Sequence, residues 1–255
     1  MTRPSPQIDV HLVRHGETRS YFADVGLTAR GVSQSRERGL RLVGELADGE
    51  RVRVLWAPTA RARETAEHLR GGLREGLAGE GRAVSLGEPE PAPDFRNVDV
   101  RAPSGPREAT QAYAEYRALA GSEGDGLGAS PWLREMGRFW KLQADAADPI
   151  GFWLTVPLLT FETPADVVRR LWAGLERLAV QAGEVSRVVC CTHSGPMRAL
   201  AAAVLGHDAG EPEFGEDLRL RLRPALDGMP ATAQLSFRGL MQRGSLPRHD
   251  QGEKP

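Results

Sequence analysis

Two short apolar runs decide what this chain can fold into: Ile8–Val13 and Arg187–Thr192, both rich in branched residues. A half-solvated strand alternates apolar and polar side chains, whereas a nearly continuous apolar run belongs to a strand covered on both faces. The runs break at Arg14-His15-Gly16 and at His193-Ser194-Gly195-Pro196, where the chain has to leave the sheet. Val52–Trp56 is a further run of the same kind.

Helical periodicity lies between these strands. Thr28 caps a helix predicted to reach about Leu46, with Val32, Leu40 and Val43 at helical spacing. Pro58-Thr59 opens a second helix to about Leu77, and Ala83–Leu86 is a further short strand. Residues 87–106, rich in proline and acid, read as loop. Amphipathic stretches at 107–120 and 131–146 flank a glycine-rich linker, Gly121–Gly128. The apolar, aromatic segment Phe152–Phe161 reads as a lid or a packing arm. Thr163-Pro164-Ala165-Asp166 combines a capping hydroxyl, proline at the first helical position and an acid three residues on, starting a helix to about Ala182. The helix after Thr192 runs to Leu205 and is stopped by Gly206. Ala233–Phe237 reads as an edge strand. This alternation predicts an α/β fold, a three-layer α/β/α sandwich whose mostly parallel central sheet carries helices on both faces. It is expected as one domain over residues 1–242, with an insert at about 97–160 over the active site and a mobile tail at 243–255.

A net charge of −1 gives no global attraction to nucleic acid or to an anionic membrane. No run approaches membrane-spanning length and no apolar leader precedes the first strand, so a cytoplasmic location is expected. Cys190 and Cys191, the only cysteines, read as strand filler. No carboxylate or cysteine stands at ligand spacing to His15 and His193, so neither metal nor other cofactor is expected.

Ligands of a parallel sheet bind at the carboxyl ends of its strands. Three polar clusters occupy such ends: Arg14-His15-Gly16-Glu17-Thr18, Pro58-Thr59-Ala60-Arg61-Ala62 and Thr192-His193-Ser194-Gly195. Meeting in one crevice, they would gather two histidines and two arginines, a set that fits a dianionic phosphate. Neutral imidazole is nucleophilic near neutral pH, and guanidinium forks stabilise a transferring phosphoryl group without a metal. Ser194, opening a helix, adds backbone N–H donors.

These residues resemble the histidine phosphatase superfamily in its phosphoglycerate-mutase-like branch (branch 1). The resemblance rests on Arg14-His15-Gly16-Glu17-Thr18, Leu27-Thr28-x-x-Gly31, Pro58-x-x-Arg61-Ala62-x-x-Thr65-Ala66, Phe161-Glu162-Thr163 and Thr192-His193-Ser194-Gly195-x-x-Arg198-Ala199-Leu200. It implies a nucleophilic His15, a phosphate clamp of Arg14 and Arg61 and a stabilising second imidazole at His193. It also implies a phosphohistidine intermediate and a small phosphate ester as substrate. Two departures stand out. Tyr21 occupies a position where mutases of the family carry asparagine, and Phe95-Arg96-Asn97 replaces the family's Leu-x-Glu, whose glutamate is the proton donor. Asp94, Asp99 and Glu135, the last within Leu133-Arg134-Glu135, are the candidate acids, and Asp99 is preferred because it shares a side with Asn97 in an extended chain. The expected activity is phosphomonoester hydrolysis. A phosphoglycerate-type mutase and a non-catalytic phospho-ligand module are the alternatives.

Overall fold

The structure is a computed structural model that describes residues 7–123, 130–145, 147–224 and 232–245. In chain order its elements are β1 (Ile8–Arg14), α1 (Ala29–Val43), β2 (Arg51–Trp56), α2 (Ala60–Glu80), β3 (Ser85–Leu86), β4 (Glu90–Pro91), β5 (Asp99–Ala102), β6 (Gly105–Glu108), α3 (Ala109–Glu123), α4 (Pro131–Ala144), α5 (Pro149–Thr155), α6 (Pro164–Val180), β7 (Arg187–Thr192), α7 (Ser194–Leu205), β8 (Asp217–Arg223), β9 (Thr232–Phe237) and β10 (Leu240–Ser245). The main sheet runs β10-β9-β8-β1-β7-β2-β3, with β4 also paired to β2. Its centre is parallel: β7 lies between β1 and β2 and pairs in parallel with both. β8, β9 and β10 complete one flank by antiparallel pairing.

The central strands bury both faces, as their apolar composition predicts. Alternate side chains point to opposite sides. Ile8, Val10, Leu12, Val188 and Cys190 pack in one cluster with Leu171 and Leu175 of α6 and Leu200 of α7. Val13, Val189, Cys191, Val52 and Val54 pack in another with Leu42 and Val43 of α1 and Leu69 and Leu73 of α2. Helices therefore cover both faces of the mixed, mostly parallel sheet. The three expected threonine caps are present: Thr28, Thr59 and Thr163 accept from the backbone N–H of Gly31, Ala62 and Asp166.

The register decides where the polar clusters go. Arg14 pairs with Thr192 and Trp56 with Cys191, so the three strands finish level. His15 then donates its backbone N–H to the Thr192 carbonyl, and Ala57 to that of Cys191.

Several expectations are corrected. The stretch 87–106, expected as loop, contains β4, a 3-10 turn at Pro93–Phe95 and strand β5, which pairs with β6 in a two-stranded hairpin. Its proline and acid content hid elements too short to show periodicity. The insert is built from this hairpin with α3, α4 and α5. Ala233–Phe237 is not an edge, because β10 covers it. Residues 243–245, expected in the tail, belong to β10, and 246–255 lie outside the described residues. The linker expected at Gly121–Gly128 begins inside α3, and 124–129 lie outside the described residues. β8 was not expected, although its Leu-Arg alternation is a period-two pattern: Leu218, Leu220 and Leu222 are buried. Among the described residues no helix is long and apolar enough to cross a membrane.

His11 anchors β8 to β1. It donates from Nδ1 to Asp217 at 2.7 Å and accepts at Nε2 from Arg187 at 3.0 Å. Arg38 of α1 reaches the same Asp217 oxygen at 2.7 Å. Burial alone would raise the Asp217 carboxyl, but the His11 hydrogen bond and the Arg38 charge outweigh it and hold the group at about 2. Removing one member leaves buried charge uncompensated. Asp217→Asn is therefore expected to cost roughly 3 kcal/mol in urea unfolding at neutral pH. The wild-type contribution is present above the ordinary value of 3.8 and fades as pH falls through about 2.

Candidate active site

The level strand ends assemble one cavity of about 350 Å3, lined by Arg14, His15, Arg61, His193 and Ser194 together with Tyr21, Asn97 and Glu211. The four residues expected to converge do so. Their side chains are buried, and the His15 and His193 rings lie 5.2 Å apart at 63°. His15 is held by local backbone chemistry. Its Nδ1 lies 2.8 Å from the Gly16 carbonyl, and a carbonyl only accepts, so the proton sits on Nδ1. The Nε2 lone pair is thereby left free in the neutral ring.

The loop holding His15 is clamped from α1 and α2. Gly16 donates its N–H to Thr65 Oγ1 at 3.0 Å, and Thr65 Oγ1 donates to the Arg61 carbonyl at 2.7 Å. Thr28 donates to the Glu17 carboxylate at 2.7 Å, so Glu17 braces the loop. Gly31 is required by close approach, since a methyl group there would run into the Glu17 carbonyl.

Both arginines are steered by side chains that the sequence did not reveal as partners. Arg14 lies over the Phe214 ring at 4.2 Å, pairs with Glu211 at 2.9 Å, and donates to Tyr21 at 3.3 Å and to the Pro212 carbonyl. Arg61 pairs with Asp24 at 3.2 Å and with Glu108 at 3.0 Å. Burial, then Arg61 and Arg14, pushes the His15 imidazolium well below its ordinary range. His193 is lowered for the same reasons, burial first, with Arg61, His15 and Arg14 adding to it. Both rings are neutral near pH 7. His193 Nε2 meets Thr59 Oγ1 at 3.3 Å.

A cluster of this kind sits in a known family frame. The family model described as histidine phosphatase superfamily (branch 1) matches residues 10–82 and 131–217, more than half of the chain. The chain belongs to this superfamily. No curated protein matches the sequence. Among solved structures, the fold is similar to a phosphoglycerate mutase from Bacillus anthracis str. Sterne, at 14% identity and a TM-score of 0.54, covering 86% of this chain and 89% of that one. It is similar also to Bacillus stearothermophilus YhfR, at 19% identity and a TM-score of 0.50, covering 91% and 96%. A mycobacterial glucosyl-3-phosphoglycerate phosphatase complexed with VO3 is 17% identical with a TM-score of 0.50, covering 91% and 98%. At these identities the likeness is one of fold.

Within this histidine phosphatase fold the candidate acids are placed elsewhere. Asp99 pairs with Arg96 at 2.7 Å, Asp94 with Arg177 at 2.5 Å, and Glu135 accepts from the backbone of Leu159 and Thr160 at 2.7 and 2.9 Å. None of the three lines the cavity, and each is occupied in bracing its own surroundings. Asn97 does line it, and donates from Nδ2 to Glu108 at 2.6 Å. Glu108 was missed. The sole signal was Pro103-Ser104-Gly105, a turn that folds the chain back through β6.

The aromatic side chains in and beside the insert divide. Trp132 and Trp153 are core, Phe139, Trp140 and Phe161 face the cavity, and Phe152 lies under Arg138 at 4.6 Å. Cys190 and Cys191 are free and buried, and burial pushes both thiols up. Among the described residues no group of three His, Cys, Asp or Glu side chains gathers as metal ligands.

The lowered imidazoles make stability depend on pH. Below the ordinary histidine value of 6.5 the unfolded chain takes up protons that the folded site refuses. Each ring thus costs up to about 1.4 kcal/mol of stability per pH unit in that window. The thermal midpoint is expected to fall between about pH 7 and pH 5, and His15→Asn combined with His193→Asn to flatten that slope.

Proposed function

We propose that this chain is a metal-independent phosphomonoesterase that transfers the phosphoryl group to Nε2 of His15 and then hydrolyses the phosphohistidine. The observation that carries this reading is a buried imidazole, protonated at Nδ1, beside two buried guanidiniums at one end of a cavity. Arg14 and Arg61 hold the phosphoryl oxygens, His193 supports the transferring group, and Ser194 contributes backbone N–H at the start of α7. Further support comes from Arg14 Nε, Arg61 Nε and His193 Nδ1, which are buried and meet no hydrogen-bond partner among the described residues. A buried unsatisfied polar group costs about 1–3 kcal/mol, and a bound oxyanion supplies acceptors for the N–H donors among them.

The remainder of the cavity favours an apolar alcohol. Val98, Ala109, Phe139, Trp140, Ile150 and Phe161 line it, most of them from the insert. Hydrolysis is preferred to a mutase reaction because the hydroxyl of Tyr21 contacts Arg14 at a position where mutases of the family carry asparagine.

Purified protein in EDTA is expected to hydrolyse an aryl phosphate and to form an acid-labile phosphoenzyme. His15→Ala should remove both, with turnover falling by at least about 10⁴-fold. Activity that vanishes in EDTA and returns with a divalent cation would count against the reading, as would 3-phosphoglycerate giving 2-phosphoglycerate faster than free phosphate. Arg61→Gln deletes charge-assisted bonds of about 1.5–3 kcal/mol, so vanadate inhibition is expected to weaken by roughly 10- to 150-fold.

A further inference from the structure

We propose that Glu108, delivered from the far end of the β5–β6 hairpin, is the group that protonates the leaving oxygen and afterwards accepts the proton of the attacking water. The proposal rests on the phosphohistidine reading above and names its missing proton carrier.

The geometry has three parts. First, Asp99 pairs with Glu108 across the hairpin, so ten residues of chain leave the site and return to it. Glu108 arrives beside Asn97, which donates to its Oε1 at 2.6 Å. Asn97 lines the cavity, as do Ala109 and Thr110 immediately after Glu108, so this carboxylate stands one hydrogen bond behind the cavity wall. Second, the same oxygen accepts from Arg61 Nη2 at 3.0 Å. Arg61 lines the cavity together with His15 and His193, which places Glu108 one guanidinium away from the imidazoles. Third, Oε2 accepts from the Thr110 N–H at 2.8 Å and from the Thr110 hydroxyl. That grip leaves Oε1 as the oxygen whose partners can change.

Three other carboxylates near the clamp are already committed. Asp24 spans the Ala60 N–H and Arg61. Glu211 bridges two arginines, Arg14 and Arg198. Asp148 is held bidentate by Arg198 at 2.6 and 2.7 Å.

The charge logic follows. In the free enzyme burial would raise the Glu108 carboxyl, but Arg61, Thr110 and Asn97 outweigh it and keep the group ionised. A phosphate dianion competes for Arg61 and adds negative charge beside Glu108, and both effects favour proton uptake. In the first step the bond from His15 Nε2 to phosphorus forms, the bond from phosphorus to the ester oxygen breaks, and the Glu108 proton passes to that oxygen. In the second step water attacks phosphorus, its proton passes to Glu108, and the His15–phosphorus bond breaks. The cycle consumes one water and returns Glu108 protonated. When phosphate leaves, Arg61 recovers the carboxylate.

The test compares two esters, an alkyl phosphate with a poor leaving group and p-nitrophenyl phosphate, whose leaving group needs little protonation. Glu108→Gln is expected to lower kcat for the alkyl ester by about 10²–10⁴-fold. The loss on the aryl ester should be at least tenfold smaller, with vanadate affinity held within about threefold. Moving the carboxylate back, in Asn97→Glu combined with Glu108→Gln, should recover at least tenfold on the alkyl ester. Glu108→Asp, which keeps the charge beside Arg61, provides the reading if Glu108→Gln does not fold, and the same selective loss is expected of it. Equal losses on both esters with weakened vanadate binding would overturn the proposal, because they mark Glu108 as a brace for Arg61 only. A selective alkyl loss in Glu211→Gln but not in Glu108→Gln would overturn it as well. Wild-type protein inert toward both esters would instead defeat the phosphatase reading itself, and this assignment with it.

Discussion

The site depends on one register. Because Arg14 pairs with Thr192 in a parallel ladder, the residues that follow, His15 and His193, emerge side by side at the same edge of the sheet. A two-residue shift would move one imidazole about 7 Å along the sheet and end its contact with the other. What holds the register lies on both faces of the strands. Ile8, Val10 and Leu12 are tied to α6 and α7, and Val13 to α1 and α2, so neither strand can slide without pulling both layers of core with it.

The electrostatic cost of the site is met in its surroundings. Two buried guanidiniums beside two imidazoles would repel, and the rings respond by staying neutral. Each arginine is paired with carboxylates from elsewhere in the chain: Arg14 with Glu211, and Arg61 with Asp24 and Glu108. These partners come from the loop after α7, the loop before α1 and the hairpin of the insert. Arg198 ties the first of these to α5 of the insert by holding Asp148 together with Asp208 and Glu211. Segments that look like decoration on the sheet are thus the counter-charge of the cationic centre.

The motif glycines and threonines act through geometry more than chemistry. Thr65 ties the Gly16 backbone to α2, and Gly31 lets α1 approach the Glu17 carbonyl. Together they fix the backbone whose carbonyl selects the His15 tautomer. A residue that never touches a ligand can in this way decide which nitrogen is free to react.

How much was legible follows from how local each signal is. The central strands, the capped helices and the four converging residues could be read because burial on both faces, cap chemistry and strand-end placement are written within a few consecutive residues. β8 too carries a local period-two pattern. The hairpin strands β5 and β6 could not be read, because four residues each are too few to show a period, and the interior position of β9 could not, because it depends on which strands flank it. The same holds for the carboxylates. Asp99 looked best placed in an extended chain, yet Arg96 takes it, while Glu108 becomes a neighbour of Asn97 only after the hairpin closes. By itself the sequence determined the α/β frame and the histidine–arginine set, since both follow from side-chain type at local spacing. Which carboxylate faces which cation was decided by tertiary structure alone, because Coulomb attraction depends on separation in space and ignores separation along the chain.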